Sequence, residues 1–413
     1  MGFFLNIRLS LILLSLLGTN TFAQIYLIEA KGVSDPRVAS EHMGHHGGNG
    51  IDGDWAVGGA HYITTGDSTY SGGAYLFHWN NTSCIWEQTD QILPESAIGT
   101  LDLQVNSEFG RDVAISNGII AIGAQDYDNS GFTDAGMVYI FRIVGDEAVF
   151  VERLEPLKND GITFDREANA WFGGALKMHG DRLIVGAIGE DQNDLDVWVG
   201  GAGAAYIYQW NGTNFDFQQK IISPNRQIGD SFGSDVSIYG GFASVGAFFE
   251  DHDTSEMNYL MDAGSAYVYK LNTTTDVWEY SQKLVASDRV AQSDYGTTLD
   301  MTQGHIVVGA RLNHTSALDA DSLYRSGSAY IYENDSGYFS FKQKIVASDR
   351  ESNDWFAYRV AIHGTTVVVG APQQRLNEFG GITAELNGGA AYVYNPSGGS
   401  WIQTQKLVAF DRN

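Results

Sequence analysis

Short apolar runs separated by polar or glycine-rich turns recur along most of this chain. One stretch shows the pattern clearly: Phe232–Ile238 and Phe242–Ala247 predict two strands joined by a glycine turn. After a polar loop, Gly264–Tyr269 and Trp278–Ala286 predict two more strands. No part of the stretch has convincing helical periodicity, so the pattern predicts a four-stranded antiparallel meander.

This unit recurs with a period of about 62 residues, and a fixed period is the signature of a repeat architecture. Each copy has an aromatic-Gly pair and, at a constant distance, a Gly-Ala pair; in the last full copy Ala357 replaces the first glycine. The aromatic residues and the glycines of the second pair are Phe109 and Gly123, Phe172 and Gly186, Phe232 and Gly246, Tyr295 and Gly309, and Phe356 and Gly370. A degraded first copy keeps Gly59–Ala60. The predicted repeats span about 41–104, 105–168, 169–229, 230–291, 292–352 and 353–413.

Several strands are apolar on both faces, such as Ile306–Val308 and Val367–Val369. A sheet covered by neighbours on both sides needs no polar face, which favours radially stacked blades. We therefore predict an all-β protein, a β-propeller of four-stranded antiparallel blades with six repeats visible. Residues 24–35 resemble the outer-strand segment Gln282–Asp288 and therefore predict an extra outer strand. Either a seventh blade lies beyond Asn413, or this strand is added to a six-bladed propeller. We favour the seven-bladed design.

Aromatic residues recur on the predicted third and fourth strands. The third strand carries a tyrosine in every copy, and the fourth carries an aromatic residue five positions before a lysine or glutamine, as in Trp278 and Lys283. Recurrence at one blade position favours packing between blades over sugar stacking.

The N-terminal residues Met1–Ala23 are typical of a secretory signal peptide, with Arg8 before the apolar run Leu9–Leu17. That run is shorter than the roughly 20 apolar residues of a membrane span, and no later stretch is comparable. We expect residues 24–413 to be secreted or displayed at the cell surface, with no transmembrane segment.

The composition limits the kinds of ligand that the chain can bind and the sources of its stability. The chain has 24 Lys and Arg against 50 Asp and Glu, a formal net charge of −26, which disfavours nucleic acid as a ligand. Cys84 is the one cysteine, so no intramolecular disulfide can form and the core must supply the stability.

The Phe-Gly and Gly-Ala pairs, with Val/Ile strands between them and Gly-Ser-Ala-Tyr-Val-Tyr after them, resemble the FG-GAP repeats. The resemblance covers about residues 53–413 and implies the β-propeller of integrin α-chain heads and of many secreted bacterial proteins. It also implies a surface for binding or cell adhesion. The integrin-type calcium loop between the two pairs is replaced here by tight turns such as Ser116–Gly118, so the family's calcium ligands cannot be transferred position by position.

One loop nevertheless has oxygen ligands at calcium-like spacing. Asp126, Asp128 and Ser130 stand at positions one, three and five, Gly131 supplies a turn, and Asp134 follows at position nine. Calcium is therefore the one candidate cofactor, and a solvated turn is the alternative. His42, His45 and His46 have no partner at metal-binding spacing, and we expect no metal there.

The corresponding loops of later repeats also carry acids, and their shared place in the repeat puts them on one face. Loops on one face of a propeller are the expected ligand surface. The candidate residues are Asp191, Asp194, Asp196, Glu250, Asp251, Asp253, Asp319 and Asp321.

Motifs for a serine nucleophile, a zinc protease, a phosphate loop or a reactive cysteine are absent from the sequence. We therefore expect a secreted, non-enzymatic propeller that binds an extracellular protein or glycan. The alternative is a secreted hydrolase or lyase that acts on polysaccharide through acidic loop residues.

Overall fold

The structure is a computed structural model that describes residues 48–63, 71–94, 104, 106–192, 197–316, 322–375 and 388–408. The predicted signal peptide, the N-terminal strand at 24–35 and the three clustered histidines lie outside these residues. The described part of the chain contains no helix, and hence none long and apolar enough to cross a membrane.

Twenty-four strands form six four-stranded antiparallel sheets, and each sheet keeps the order of the chain. This confirms the predicted all-β fold, a β-propeller of six blades in the described residues. Blade 1 contains β1 (Asn49–Asp52), β2 (Trp55–Gly59), β3 (Ala74–Asn80) and β4 (Ile85–Ile92); blade 2 contains β5 (Phe109–Ser116), β6 (Ile119–Ala124), β7 (Met137–Val144) and β8 (Glu147–Leu154). Blade 3 contains β9 (Phe172–His179), β10 (Arg182–Ala187), β11 (Ala204–Trp210) and β12 (Phe215–Ile221); blade 4 contains β13 (Phe232–Tyr239), β14 (Phe242–Ala247), β15 (Ser265–Asn272) and β16 (Val277–Leu284). Blade 5 contains β17 (Tyr295–Met301), β18 (His305–Ala310), β19 (Ser328–Asp335) and β20 (Tyr338–Ile345); blade 6 contains β21 (Arg359–His363), β22 (Thr366–Ala371), β23 (Ala390–Ser397) and β24 (Ser400–Leu407).

The chain divides into two compact units. The first comprises residues 1–156, 164–176 and 210–215, and so holds blades 1 and 2 with parts of blade 3. The second comprises residues 157–163, 177–209 and 216–413, and holds the rest of blade 3 with blades 4 to 6.

In the second unit, a glycine before the third strand of blades 3, 4 and 5 meets the aromatic residue that opens the next repeat. Gly264 forms a parallel bridge with Tyr295, and Gly327 forms one with Phe356. Gly264 has a φ of 80°, and a Cβ atom there would lie 2.0 Å from the carbonyl oxygen of Tyr295. The Gly in this part of the repeat is therefore required both by the left-handed backbone and by the close approach of two blades.

Glutamine side chains join the outer strands of neighbouring blades in the second unit. Gln282 donates from Nε2 to the carbonyl oxygen of Phe339 and accepts its N–H, both at 2.8 Å. Gln219 does the same for Trp278, and Gln343 for Trp401. These aromatic side chains are buried, in agreement with packing between blades.

The first unit makes its corresponding junction with a carboxylate. Asp90 accepts the N–H of Ala148 at 2.9 Å, where the second unit has glutamine. Because glutamine supplies both a donor and an acceptor, it satisfies two backbone groups of the next blade, whereas a carboxylate satisfies only N–H groups.

Candidate functional site

The first strand of a blade carries polar side chains that bond to the next blade. Asp235 on β13 accepts the N–H of Leu299 at 2.7 Å, and Asp300 on β17 accepts the N–H of Ile362 at 2.9 Å. Asp300 also lies 2.7 Å from Lys177 Nζ and accepts the hydroxyl of Ser237 at 3.0 Å. Both oxygens of this buried carboxylate are engaged, so it connects strands and is not available as a base.

A buried lysine on the fourth strand of blades 3 to 6 forms a second repeated polar group. Each ammonium lies 2.6–2.8 Å from at least one carboxylate and 5.5–5.8 Å from the ring centre of the tyrosine on the third strand of the same blade. The four lysines are Lys220, Lys283, Lys344 and Lys406. Buried ammonium groups require such partners, because removal from water is costly for an unpaired charge.

The carboxylate comes from two different places. In blades 3 and 4 it is a glutamate shortly after the Gly-Ala pair, Glu190 or Glu250. In blades 5 and 6 that position is an amide, and the loop before the blade supplies Asp288 or Asp349 instead. These lysines were not predicted as functional residues, although each follows the outer-strand aromatic residue of its blade by five positions.

The structure places Glu250 away from the predicted ligand surface. Its side chain is fully buried, and it accepts bonds from Lys283 Nζ at 2.8 Å and Ser265 Oγ at 2.6 Å. A loop position in the sequence does not show whether a side chain points out or in, because loops have no periodicity. Glu250 therefore holds the blade together.

Asp191 and Asp251 brace their own loops. Asp191 accepts the indole N–H of Trp198 at 3.1 Å, and also the backbone N–H of Gly201. Asp251 accepts the N–H of Asp262 at 2.7 Å and a hydrogen bond from Tyr259, whose pKa it raises by its negative charge. Both carboxylates hold an exposed aromatic side chain in place.

Asp253 is partly exposed and caps a turn in the same loop as Asp251. It accepts the N–H of Ser255 at 2.9 Å and bonds from Ser255 and Asn258 side chains, which hold its pKa well below its usual range. Asp194, Asp196, Asp319 and Asp321 lie outside the described residues.

Three aromatic side chains stand out from the loops between the second and third strands of blades 3, 4 and 5. Trp198 is 62% exposed, Tyr259 63% and Tyr324 60%. Sequence reasoning chose the acids of these loops and missed the aromatic residues that two of those acids position. We call Trp198, Tyr259 and Tyr324 the aromatic platform.

The loop predicted to bind calcium folds as a compact turn in the first unit. Asp128 Oδ1 accepts the N–H of Asp134 at 3.0 Å, and Ser130 Oγ donates to Asn129 Oδ1 at 3.0 Å. Asp128 and Ser130 thus bond within the protein. Calcium binding here stays a prediction.

Asp126 has the most unusual environment in that loop. Its Oδ1 atom is buried without a hydrogen-bond partner in the described structure. Burial, together with the negative charges of Glu108 and Asp134, raises the pKa of Asp126 to about 7. Glu108 itself lies 2.8 Å from Arg111 and accepts a bond from Gln125 at 3.1 Å.

One group of side chains in the described residues has metal-ligand spacing, namely Glu250, His252 and Glu256, with ligand atoms within 4.8 Å of one another. Lys283 Nζ lies 2.8 Å from both glutamates. The ammonium group already supplies the positive charge that a metal ion would bring, so this cluster does not fit a metal site.

The repeat profile described as "FG-GAP repeat" matches residues 95–141, 163–208, 215–269, 278–332 and 339–394. These segments cover well over half of the sequence. This chain belongs to the FG-GAP repeat family. The matches begin and end within blades, since residues 278–332 run from the last strand of blade 4 to the third strand of blade 5.

No curated protein shows significant similarity to the FG-GAP chain. Among solved structures, a putative 6-phosphogluconolactonase from Bacteroides uniformis is 8% identical with a TM-score of 0.50 and covers 87% of this chain and 83% of its own. The periplasmic gluconolactonase of Pseudomonas aeruginosa is 12% identical with a TM-score of 0.50 and covers 88% and 85%. At these identities the likeness shows a shared fold.

The expectation that this FG-GAP protein is not an enzyme is wrong. That expectation was based on the absence of catalytic motifs, yet proteins described as lactonases have the same propeller fold. Propeller active sites can be assembled from single residues of several blades, which leaves no contiguous motif to find.

Proposed function

We propose that this protein is an extracellular β-propeller that binds a glycan through the aromatic platform. The observation that carries the proposal is that Trp198 and Tyr259, each more than 60% exposed, are held at their polar ends by Asp191 and Asp251. The predicted signal peptide supports the extracellular location, and the repeat family supports a binding role.

The two rings are pre-organised to receive a ligand. An exposed tryptophan or tyrosine presents a large apolar face, and a bond to its polar end fixes the ring without covering that face. Such rings lose little conformational entropy when a ligand packs against them. The apolar C–H faces of sugars suit flat rings, while sugar hydroxyls suit the surrounding carboxylates and amides.

Binding to a glycan array should test this proposal. We expect Trp198→Ala and Tyr259→Ala each to weaken glycan binding at least tenfold, with melting temperatures close to that of the unaltered protein. Tyr338→Ala is the matched control, because Tyr338 is 59% exposed but lies at the start of the outer strand β20. Glycan binding that survives both loop substitutions would overturn the proposal, as would a protein ligand that needs the platform in the absence of any glycan ligand.

A second candidate function, hydrolysis, is favoured by Asp126. A carboxyl group with a pKa of about 7 can hold a proton near neutral pH, as a general acid must, and the charged Glu108 lies close to it. We expect turnover of a glycoside or lactone to be lost in Asp126→Asn and to fall as pH rises above about 7. The measurement is hydrolysis of a panel of both substrate classes; no turnover by the unaltered protein would remove this candidate.

A further inference from the structure

The junction of blades 5 and 6 departs from the repeat. β13 and β17 begin at the aromatic residue of their repeats, whereas β21 begins at Arg359, three residues after Phe356. Ala357 occupies the left-handed backbone position, with a φ of 65°, that is glycine in the other copies. The irregular segment before β21 contains Trp355 and Tyr358.

Two arginines of blade 5 lie against this segment. The Arg311 guanidinium carbon is 5.6 Å from the ring centre of Tyr358, and the rings of Tyr358 and Trp355 are nearly parallel at 6.1 Å. The N–H of Trp355 bonds to the carbonyl oxygen of Arg325. The guanidinium carbon of Arg325 lies 5.0 Å from the ring centre of Tyr324, and both arginines act on the carboxylate of Asp294. We call Arg311, Arg325, Trp355 and Tyr358 the arginine cluster.

The guanidinium groups of this cluster contact the protein, but some of their N–H donors have no acceptor within the described residues. Arg311 donates from Nε to Asp294 Oδ2 at 3.0 Å. Its two terminal amino groups, and the guanidinium of Arg325, make no hydrogen bond within the described residues. Both arginines are partly exposed, so a ligand can reach donors that the protein leaves unused.

The local charges are balanced. Arg311, Arg325 and Asp262 all act on the carboxylate of Asp294. Burial raises the pKa of Asp294 although Arg311 opposes the shift. In a chain with a net charge of −26, a site with two under-used guanidinium groups is an exception.

We propose that the arginine cluster binds the carboxylate of a single acidic sugar residue, with Arg311 as the bidentate partner and Tyr358 and Trp355 beside the sugar ring. Planar guanidinium groups match carboxylates through two parallel hydrogen bonds. The formal net charge of −26 repels polyanions, so a ligand with a single negative charge is favoured over a polymer of acidic residues. The occupant is therefore one acidic sugar at a glycan end, and a polyuronate is excluded. This inference rests on the proposed glycan-binding function.

The test compares methyl β-glucuronide with methyl β-glucoside, two sugars that differ in the carboxylate, by titration calorimetry. We expect the glucuronide to bind at least tenfold more tightly, and Arg311→Gln to remove that preference. Arg311→Lys keeps the charge but loses the planar fork, so it should recover only part of the preference. Lys342→Gln is the matched control, because it removes one positive charge of blade 5 from an exposed ion pair with Glu333 on the outer strands.

The outcomes separate this inference from the proposed function. Equal affinity for the two sugars, or a preference that survives Arg311→Gln, overturns the carboxylate site even if glycan binding through the aromatic platform stands. Tighter binding of polygalacturonate than of glucuronide overturns the single-residue occupant. An acidic peptide that binds through Arg311 while both sugars fail assigns the cluster to a protein partner and overturns the inference.

Discussion

Blades 4 and 5 bury the same lysine at the same place but neutralise it differently. In blade 4, Lys283 pairs with Glu250, which follows the Gly-Ala pair. In blade 5, Asn313 stands at the position of Glu250, and Lys344 pairs with Asp288 from the loop before the blade. The corresponding loop residue before blade 4 is Asn225. Each buried ammonium has at least one carboxylate partner in both blades, and the place of that carboxylate in the sequence is free to change.

The two ion pairs also differ in the groups that surround each lysine. Lys283 has a second carboxylate at 2.8 Å, Glu256, and Lys344 Nζ also donates to the hydroxyl of Thr315. Asp288 in addition accepts the hydroxyl of Tyr330 at 2.6 Å. Although burial acts to raise it, the pKa of Asp288 is held below its usual value by these hydrogen bonds, chiefly the one from Lys344. Two carboxylates of the described residues therefore share the charge of Lys283, and Asp288 is itself held by three hydrogen bonds.

The largest effect should follow from Asp288→Asn. Removing one partner of a buried ion pair costs about 3–5 kcal/mol, because the other charge stays buried without compensation. Chemical denaturation should show a loss of this order, and a smaller loss for Glu250→Gln, where Glu256 remains beside the lysine. Asp335→Asn is the control, since Asp335 lies exposed at the outer turn of the same blade.

A double substitution sharpens the comparison. Asp288→Asn with Asn313→Glu gives blade 5 the arrangement of blade 4, so it should regain at least half of the stability lost in Asp288→Asn. The coupling between the two changes, measured by a double-mutant cycle, should be favourable by about 1–2 kcal/mol. Additive losses would show that the place of the carboxylate matters as much as its presence.

The comparison of blades 4 and 5 also shows which features of the structure can be predicted from the sequence. The Phe109-to-Gly123 spacing and its later copies predicted the blades, because packing between blades fixes strand length and the positions of small residues. The chemistry of the loops could not be read in this way. Glu250 and Asp251 are neighbours in the sequence, yet one is buried on a lysine and the other braces Tyr259, and only the folded loop distinguishes them.

An effect of intermediate size should be seen in the pH dependence of the unfolding free energy. It should come from the residue two positions before the aromatic residue that opens each repeat. Blade 5 has Ser293 there, which donates to the carbonyl oxygen of Ala263 at 2.9 Å. Blades 4 and 6 have the buried Asp230 and Asp354, and burial raises the pKa of each to about 7. A carboxyl group with a raised pKa in the folded state adds stability that is complete below its unfolded pKa, near 3.8, and lost as pH rises through about 7.

Replacing both aspartates by serine, as in blade 5, should therefore remove this loss. The unfolding free energy of Asp230→Ser/Asp354→Ser, taken relative to the unaltered protein, should improve steadily between pH 4 and pH 7. The difference between the two proteins is the quantity to measure, because other ion pairs titrate equally in both. A difference that does not change with pH would contradict the raised pKa values.

The smallest effect should come from blade 6, where Ala357 has the left-handed φ of 65° that Gly296 adopts in blade 5 at 89°. A side chain in this conformation is strained, so Ala357→Gly should stabilise the protein, by about 0.5–1 kcal/mol after the greater flexibility of unfolded glycine is subtracted. The reverse change in blade 5, Gly296→Ala, should destabilise, because its Cβ would lie 2.2 Å from the carbonyl oxygen of Ser265. Thermal unfolding of the two variants is the measurement. A loss of stability in Ala357→Gly would mean that the alanine methyl group makes packing contacts that outweigh its strained backbone, and that the irregular start of β21 is stabilised by this residue and not merely tolerated.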